Sequence, residues 1–415
     1  MKVISDLHIH GKYSRATSKE LTIPNLEKYA RMKGLNLLGT GDFTHPKWNT
    51  ELKKDLVFDD GILKTATGFC FIPQTEISLI YTDSGKGRRI HHVILAPDLE
   101  TADQITETFK KRGRVDYDGR PIFKIKSPEL VEMMHSISDK IEIIPAHIWT
   151  PWFGMLGSMS GFDSLKECFQ EKSSKIHAIE TGLSSDPAMN WRIKELDNRS
   201  ILSFSDLHSF WPWRIGRECT ILDLKKLNYA SVLNAIRNQE IKETIEFFPE
   251  EGKYHYDGHR NCNVVMSPKE TEKHKGICPA CKKPLTKGVA YRVEKLADRE
   301  EGCKPKNAKP FKRLIPLSEI IAGRLGVGVA TQKVWKVYHD LQKLGNEIEI
   351  LLEIPKEKLL KAVDEKLADL IIRNREQKIK IQPGYDGLYG KPIFNNTAVK
   401  KEVKPKKQAG LNQYC

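Results

Sequence analysis

The sequence predicts an α/β protein whose amino-terminal part is a βα-barrel. Three observations carry this. Seven short apolar stretches each end in His, Asp or Glu. Segments of helical length separate them. The acidic and imidazole residues gather at the carboxyl ends of the stretches, which is where βα-barrel active sites sit.

Each stretch contributes in chain order. KVISDLHIH ends in His8 and His10, and LNLLGTGDFTH supplies Asp42 and His45. GFCFIPQTEI carries Glu76, RRIHHVILA carries His91 and His92, and IEIIPAHIW carries His147. KIHAIETG ends at Glu180, and SILSFSDLHS ends at Asp206 and His208. Side chains alternate faces along a strand, so His8 and His10 share a side about 7 Å apart, with Asp6 just below as a partner for a ligand N–H. His91 and His92 must face opposite ways, and His91 is expected to point inward. His8, Glu76 and Asp206 are the expected catalytic residues, the two carboxylates being natural bridges between ions. Imidazole and carboxylate together suit Zn2+, Mn2+, Mg2+ or Fe2+, and a ligand set of this size implies two or three divalent ions.

Between the stretches, PNLEKYARMKG, SPELVEMMHSISDK and DPAMNWRIKELDN read as helices. In the last, Asp186 is an N-cap and Pro187 the first helical residue. Strand ECTILDL and helix NYASVLNAIRNQE complete a unit over residues 1–248. Residues 249–305 are polar and poor in core residues, so they need a staple. Cys278 and Cys281 form one knuckle of a zinc ribbon, and His259 and Cys262 supply the other, with His255 and Cys303 as competing ligands. Residues 306–395 return to helical spacing, including one helix over PKEKLLKAVDEKLADLIIRNREQ with Leu359, Leu360, Val363, Leu367 and Leu370 on one stripe. Residues 396–415 form a basic tail.

The chain has 415 residues, with 68 Lys+Arg against 54 Asp+Glu and a net charge of +14. That balance favours a polyanionic partner. No stretch approaches the roughly 18 consecutive apolar residues of a membrane helix. With eight cysteines and no leader-like start, the expectation is a cytoplasmic, nucleoid-associated protein without a disulfide framework.

The motifs DLHIH and GTGDFTH, followed by Glu76, His91, His147, Glu180 and Asp206-Leu207-His208, resemble the polymerase-and-histidinol-phosphatase (PHP) domain. The second motif departs from the family's Thr-Asp-His run through Phe43-Thr44, and Arg15 stands near where a further family His is usual. The resemblance implies a distorted (β/α)7 barrel that hydrolyses phosphate esters. With KYHYDGHRNC and CPACKKPLTKGVAYRVEKLADR added, nearly the whole chain resembles the endonuclease Q family. That implies a repair endonuclease cutting DNA on the 5′ side of deaminated bases (hypoxanthine, uracil, xanthine) and at abasic sites.

Reading a damaged base requires taking it out of the stack. Trp149, Trp152 and Phe153 follow His147, and Trp211 and Trp213 follow His208, so they are expected as stacking surfaces on the rim, with Arg214 and Arg217 as phosphate contacts. Gln408, Leu411 and Tyr414 resemble the motif that binds the replication sliding clamp (PCNA), behind a lysine-rich tether. A PHP-type small-molecule phosphatase would explain the first unit but not the finger, the helical part or the charge. A non-enzymatic DNA-binding scaffold would leave the ligand set idle.

Overall fold

The structure is a computed structural model and describes residues 1–394. The clamp-like residues Gln408, Leu411 and Tyr414 lie outside the described residues.

Strands and helices intersperse along residues 1–248, and the strand pairing is mixed. Eight strands make one sheet in the order Phe311–Arg313, Ile241–Glu246, Cys219–Asp223, Lys2–Asp6, Leu37–Gly39, Cys70–Ile72, Ile62–Lys64, Val57–Asp59. Lys2–Asp6 runs parallel to Leu37–Gly39 but antiparallel to Cys219–Asp223. A second sheet orders Ile122–Phe123, Gln74–Asp83, Lys86–Leu95 and Glu142–Pro145. Ala178–Glu180 and Ser200–Leu202 form a parallel pair. Single backbone contacts stitch these sheets together: Ile148 N–H donates to Glu180 O at 3.1 Å, and Ile9 bridges to Leu207.

One antiparallel pairing has a local cause. Gln74–Asp83 and Lys86–Leu95 are two arms of one hairpin, closed by Ser84 and Gly85 with φ of 49° and 75°. Two consecutive positive φ angles make the tight turn whose twist matches the strands. The hairpin register sets Glu76 opposite Val93 and Ile77 opposite His92. Glu76 and His91 therefore share one face of the sheet, and His92 takes the other.

The helices follow their caps. Ile23–Lys33 starts at Thr22, whose hydroxyl accepts from Asn25 N, and stops at Gly34 with φ 104°. Ile23, Leu26 and Ala30 face the core. The expected helix over 186–198 is shorter, comprising Pro187–Asn190 and a 3₁₀ turn at Lys194–Leu196. The expected continuous helix after Pro355 is broken into Lys356–Leu359 and Glu365–Arg375. Asp364 restarts it by accepting from Leu367 N at 2.9 Å, and Leu360 is left 44% exposed, so the five-residue stripe is not one buried face.

After the finger segment the chain returns to the large sheet, where Phe311–Arg313 pairs parallel with Ile241–Glu246. The helices Leu317–Leu325, Gln332–Gln342, Glu347–Leu352 and Glu365–Arg375 then pack around Ile320, Ile321, Val334, Tyr338, Leu341 and Leu367.

Candidate active site

The expected ligands converge from the ends of the strands. His8, His10, Glu76 and Asp206 form one group, and Glu76, His91 and His147 form a second, each with its ligand atoms within 4.8 Å of one another. Glu76 belongs to both, and its two oxygens divide between them. Oε1 lies 2.7 Å from His91 Nδ1 and 3.1 Å from His147 Nε2. Oε2 lies 3.2 Å from His10 Nε2 and 3.6 Å from His8 Nε2. Asp206 Oδ1 lies 3.1 Å from His10 Nε2 and 3.6 Å from His8 Nε2.

The other ring nitrogens are committed elsewhere, which fixes the tautomers. His8 Nδ1 donates to Glu180 Oε1 at 2.8 Å, His10 Nδ1 to Asp42 Oδ1 at 3.0 Å, and His147 Nδ1 to Thr150 Oγ1 at 2.9 Å. Carboxylates behind imidazoles orient a metal-binding ring and make it more basic. Glu180 and Asp42 thus stand behind imidazoles of the two groups and outside the groups themselves. Asp6, expected in that supporting role, instead accepts from the backbone N–H groups of Ser205 and Gly216, both at 3.0 Å, and holds the Asp206 loop. Burial pushes its carboxyl up to about 6 against those hydrogen bonds.

His45, expected as a ligand, lies outside both groups and stacks on Tyr13 with centroids 4.7 Å apart. His208 is also outside them. Its Nδ1 donates to Asp206 O at 3.0 Å and its ring lies against His10 at 4.7 Å. His92 faces the opposite side of the sheet, near Ser127. Three residues at the centre hold left-handed backbone: Asp42, His147 and Asp206, with φ of 39°, 32° and 46°. Such conformations cost non-glycine residues energy, and they concentrate where side chains must be aimed.

The donor set fits divalent ions. His8 Nε2 is buried with no hydrogen-bond partner among the described residues, and it faces two carboxylates. Burial alone would raise the Glu76 carboxyl, but His91, Arg120 and His8 hold it well below the usual range. Asp206 is likewise buried yet kept low, by His8 and His10. Burial would lower His8 and His10, but Glu180 with Glu76 and Asp206 raises His8, and Asp42 with Asp206 and Glu76 raises His10, well above an ordinary imidazole.

Sequence reasoning missed Arg120. Its Nη1 donates to Glu76 Oε2 at 2.9 Å from the loop between helix Leu99–Lys110 and strand Ile122–Phe123. Nothing in the periodicity of DYDGRP marks it; a Gly-Arg pair in a loop is a signal only once the loop is known to cover a site.

In the finger segment, the hairpin Asp257–His259/Val264–Met266 and a turn after Cys278 bring His259, Cys262, Cys278 and Cys281 together. His259 Nδ1 lies 3.1 Å from Cys262 Sγ and 3.3 Å from Cys281 Sγ. Three sulfurs and one imidazole suit tetrahedral zinc. Desolvation would raise the Cys278 thiol, but the N–H groups of Cys281 and Ala280 bring it down to about 7. His255 is buried apart from this group, beside Tyr256, and Cys303 is outside it too.

The rim aromatics divide. Trp152 is 46% exposed, with the Arg89 guanidinium 5.4 Å from its ring centre, and Phe153 lies against His91 at 4.4 Å. Trp149, expected on the rim, is fully buried and donates its indole N–H to Asn190 Oδ1 at 2.8 Å, so it anchors the loop from within. Trp211 and Trp213 stack at 5.3 Å and meet Trp335 of the helical segment, at 5.4 and 6.0 Å. Arg214 is exposed, whereas Arg217 turns inward and donates to Ser205 O at 3.0 Å.

An α/β fold with buried imidazoles shared around one carboxylate defines a metal-dependent hydrolase. Comparison with known proteins narrows this. Residues 316–378 match the MJ0043 C-terminal domain family. The chain is 33% identical to the lesion-specific endonuclease PfuEndoQ of Pyrococcus furiosus, with a TM-score of 0.85 over 97% of this chain and 98% of that one. It is equally 33% identical, with a TM-score of 0.84, to endonuclease Q solved with a 27-mer duplex carrying an abasic lesion, over 97% of this chain and 99% of that one. An uncharacterized protein of Methanocaldococcus jannaschii, MJ0043, is 34% identical over 252 residues, which are 59% of this chain and 31% of that protein. The chain therefore spans about a third of that relative's length. The chain belongs to the endonuclease Q family.

Proposed function

We propose that this protein is a DNA repair endonuclease that hydrolyses the phosphodiester 5′ of deaminated bases (hypoxanthine, uracil, xanthine) and of abasic sites, using two ions. The observation that carries the reading is the division of Glu76: one oxygen faces His91 and His147, the other His8 and His10. Divalent ions held there supply Lewis-acid polarisation of a phosphodiester and a more acidic water. The family relative bound to duplex DNA with an abasic lesion at its active site supports the choice of substrate, as does the net charge of +14.

In this reading His8, His10, His91, His147, Glu76 and Asp206 hold the ions, Asp42 and Glu180 orient imidazoles, and His208 and His45 lie at the margin. Residues 1–248 are a distorted (β/α)7 catalytic barrel of the PHP type. Residues 249–305 are a module folded around one Zn2+ on His259, Cys262, Cys278 and Cys281. Residues 306–395 are a helical DNA-binding unit. Trp152 and Phe153 stand at the site mouth, suited to holding an extruded base. No helix among the described residues is long and apolar enough to cross a membrane, and the setting is the cytoplasm, on nucleoid DNA. Residues 396–415 tether a sliding-clamp motif, Gln408, Leu411 and Tyr414, which raises the local concentration of the nuclease near replicating DNA.

The test is cleavage of duplexes carrying one inosine, one uracil or one abasic site, with the cut mapped to the nucleotide, with and without chelator. A chelator-sensitive cut 5′ of the lesion is expected. Failure to cut any of the three refutes the reading. Titration of the full chain and a chain ending at Lys407 against the sliding clamp tests the tail; equal binding refutes the motif.

A further inference from the structure

The loop before Ile122–Phe123 is locked onto the metal centre. Asp118 Oδ1 accepts from the backbone N–H groups of Arg15 and Arg120, each at 3.2 Å. Gly119 N–H donates to Tyr13 O at 3.3 Å, and Ser78 N–H donates to Pro121 O at 3.0 Å. A side chain at residue 119 has no room: a Cβ would lie 2.2 Å from Ser14 Oγ and 2.3 Å from Asp42 Oδ2. The backbone is thus pressed against the residues that orient His10, and it delivers one guanidinium to the centre.

Glu76 has partners besides that guanidinium, since it also faces the imidazoles of His8, His10, His91 and His147. Arg120 spends one hydrogen bond there, and among the described residues its guanidinium has no other acceptor. Its side chain is 26% exposed, so the guanidinium beside Glu76 is reachable from solvent. A planar fork with unspent donors beside an ion-binding carboxylate matches the oxygens of a phosphodiester.

Building on the endonuclease reading, we propose that Arg120 is a catalytic residue that grips the non-bridging oxygens of the phosphodiester being cut and stabilises the charge that gathers on them. The loop fixes its position before substrate arrives, so little reorganisation is needed at the moment of reaction.

The experiment compares the full chain with Arg120→Ala and Arg120→Gln on a duplex carrying one abasic site. Metal content measured by mass spectrometry should match the parent. Single-turnover cleavage should fall about 10²- to 10³-fold, the loss typical of one oxyanion donor, and added guanidinium chloride should restore part of it to Arg120→Ala. Binding is measured separately on chelator-treated protein, with an uncharged methylphosphonate at the position the parent cuts. The parent should lose affinity for that duplex, and Arg120→Ala should not distinguish it from the unmodified one. Metal loss parallel to the loss of activity would make Arg120 a mere support for Glu76 and overturn the proposal. So would cleavage within about threefold of the parent. A parent that cuts none of the damaged duplexes would instead overturn the endonuclease reading itself.

Discussion

Lys33 and Glu347, 314 residues apart in sequence, form a buried ion pair with Nζ 2.7 Å from Oε1. Lys33 closes the first long helix, and Glu347 opens a helix of the carboxyl-terminal segment. Glu347 also accepts from Leu317 N at 3.0 Å and from Tyr338 OH at 2.7 Å. Lys33 donates again to Pro212 O at 2.8 Å, within the aromatic layer of Trp211 and Trp213. One pair thus joins the catalytic part, its rim and the helical segment. Lys33→Met should leave a buried carboxylate uncompensated and cost about 3–5 kcal/mol. Thermal unfolding of the single variant and of Lys33→Met/Glu347→Gln measures it, and the double variant should recover part of the loss.

Asp206→Asn should keep the fold and DNA affinity but reduce cleavage by several decades. The residue faces His8 and His10 and holds a left-handed backbone angle of 46°, which Asn tolerates. Circular dichroism, a binding titration and single-turnover cleavage separate these effects. Cleavage within about threefold of the parent would remove Asp206 from the ion shell.

Cys278→Ser/Cys281→Ser should remove about one zinc per chain and leave the metal content of the His8/Glu76 centre unchanged. Around the four ligands the buried apolar cluster is small, comprising Met266, Cys278 and Leu285, so a bound zinc should add to the cohesion there. Metal analysis decides this; an unchanged zinc count would show that the thiols bind none.

Glu218 and Glu246 are buried together, and stability should fall with rising pH because of them. Burial lifts Glu246 to about 8 against hydrogen bonds from Ser203, Thr244 and Thr181, and burial with Glu246 nearby lifts Glu218 well above its usual value. Between the unfolded value of about 4.3 and about 8, the folded carboxyl of Glu246 keeps a proton that the unfolded chain releases. Stability therefore declines across that window and levels off above it. Glu218→Gln should stabilise the protein by roughly 1 kcal/mol at pH 8 and flatten the decline, read from melting temperatures at pH 5, 6.5 and 8.

Trp152→Ala should weaken binding to lesion DNA by roughly 1–3 kcal/mol if a base stacks there. The ring is 46% exposed, so its loss leaves the fold intact. Fluorescence titrations with damaged and undamaged duplexes provide the comparison. Equal weakening of both would assign Trp152 to general contact.

Residue types and local spacing suffice to show which chemistry gathers and in what order. Histidines and carboxylates recurring at strand ends, and a His-x-x-Cys and Cys-x-x-Cys pair in a core-poor segment, are local patterns that any fold must place somewhere. The period of two that a strand imposes predicts His8 and His10 on one side, and they share one group although the strand ends at Asp6. The tertiary structure decided the division of labour within the set. Asp42, Glu180 and His45 have the same residue types and strand-end positions as the residues in the two groups. The parallel pairing of the first two strands puts Asp42 behind His10 and His45 against Tyr13, and the approach of a separate sheet puts Glu180 behind His8. The hairpin turn at Ser84-Gly85 chose His91 over His92 by setting its register against Glu76. The burial of Trp149, the pairing of Lys33 with Glu347 and the arrival of Arg120 at Glu76 are long-range contacts. Each partner there is an ordinary residue in its own sequence context, and the contact exists only once the chain has closed on itself.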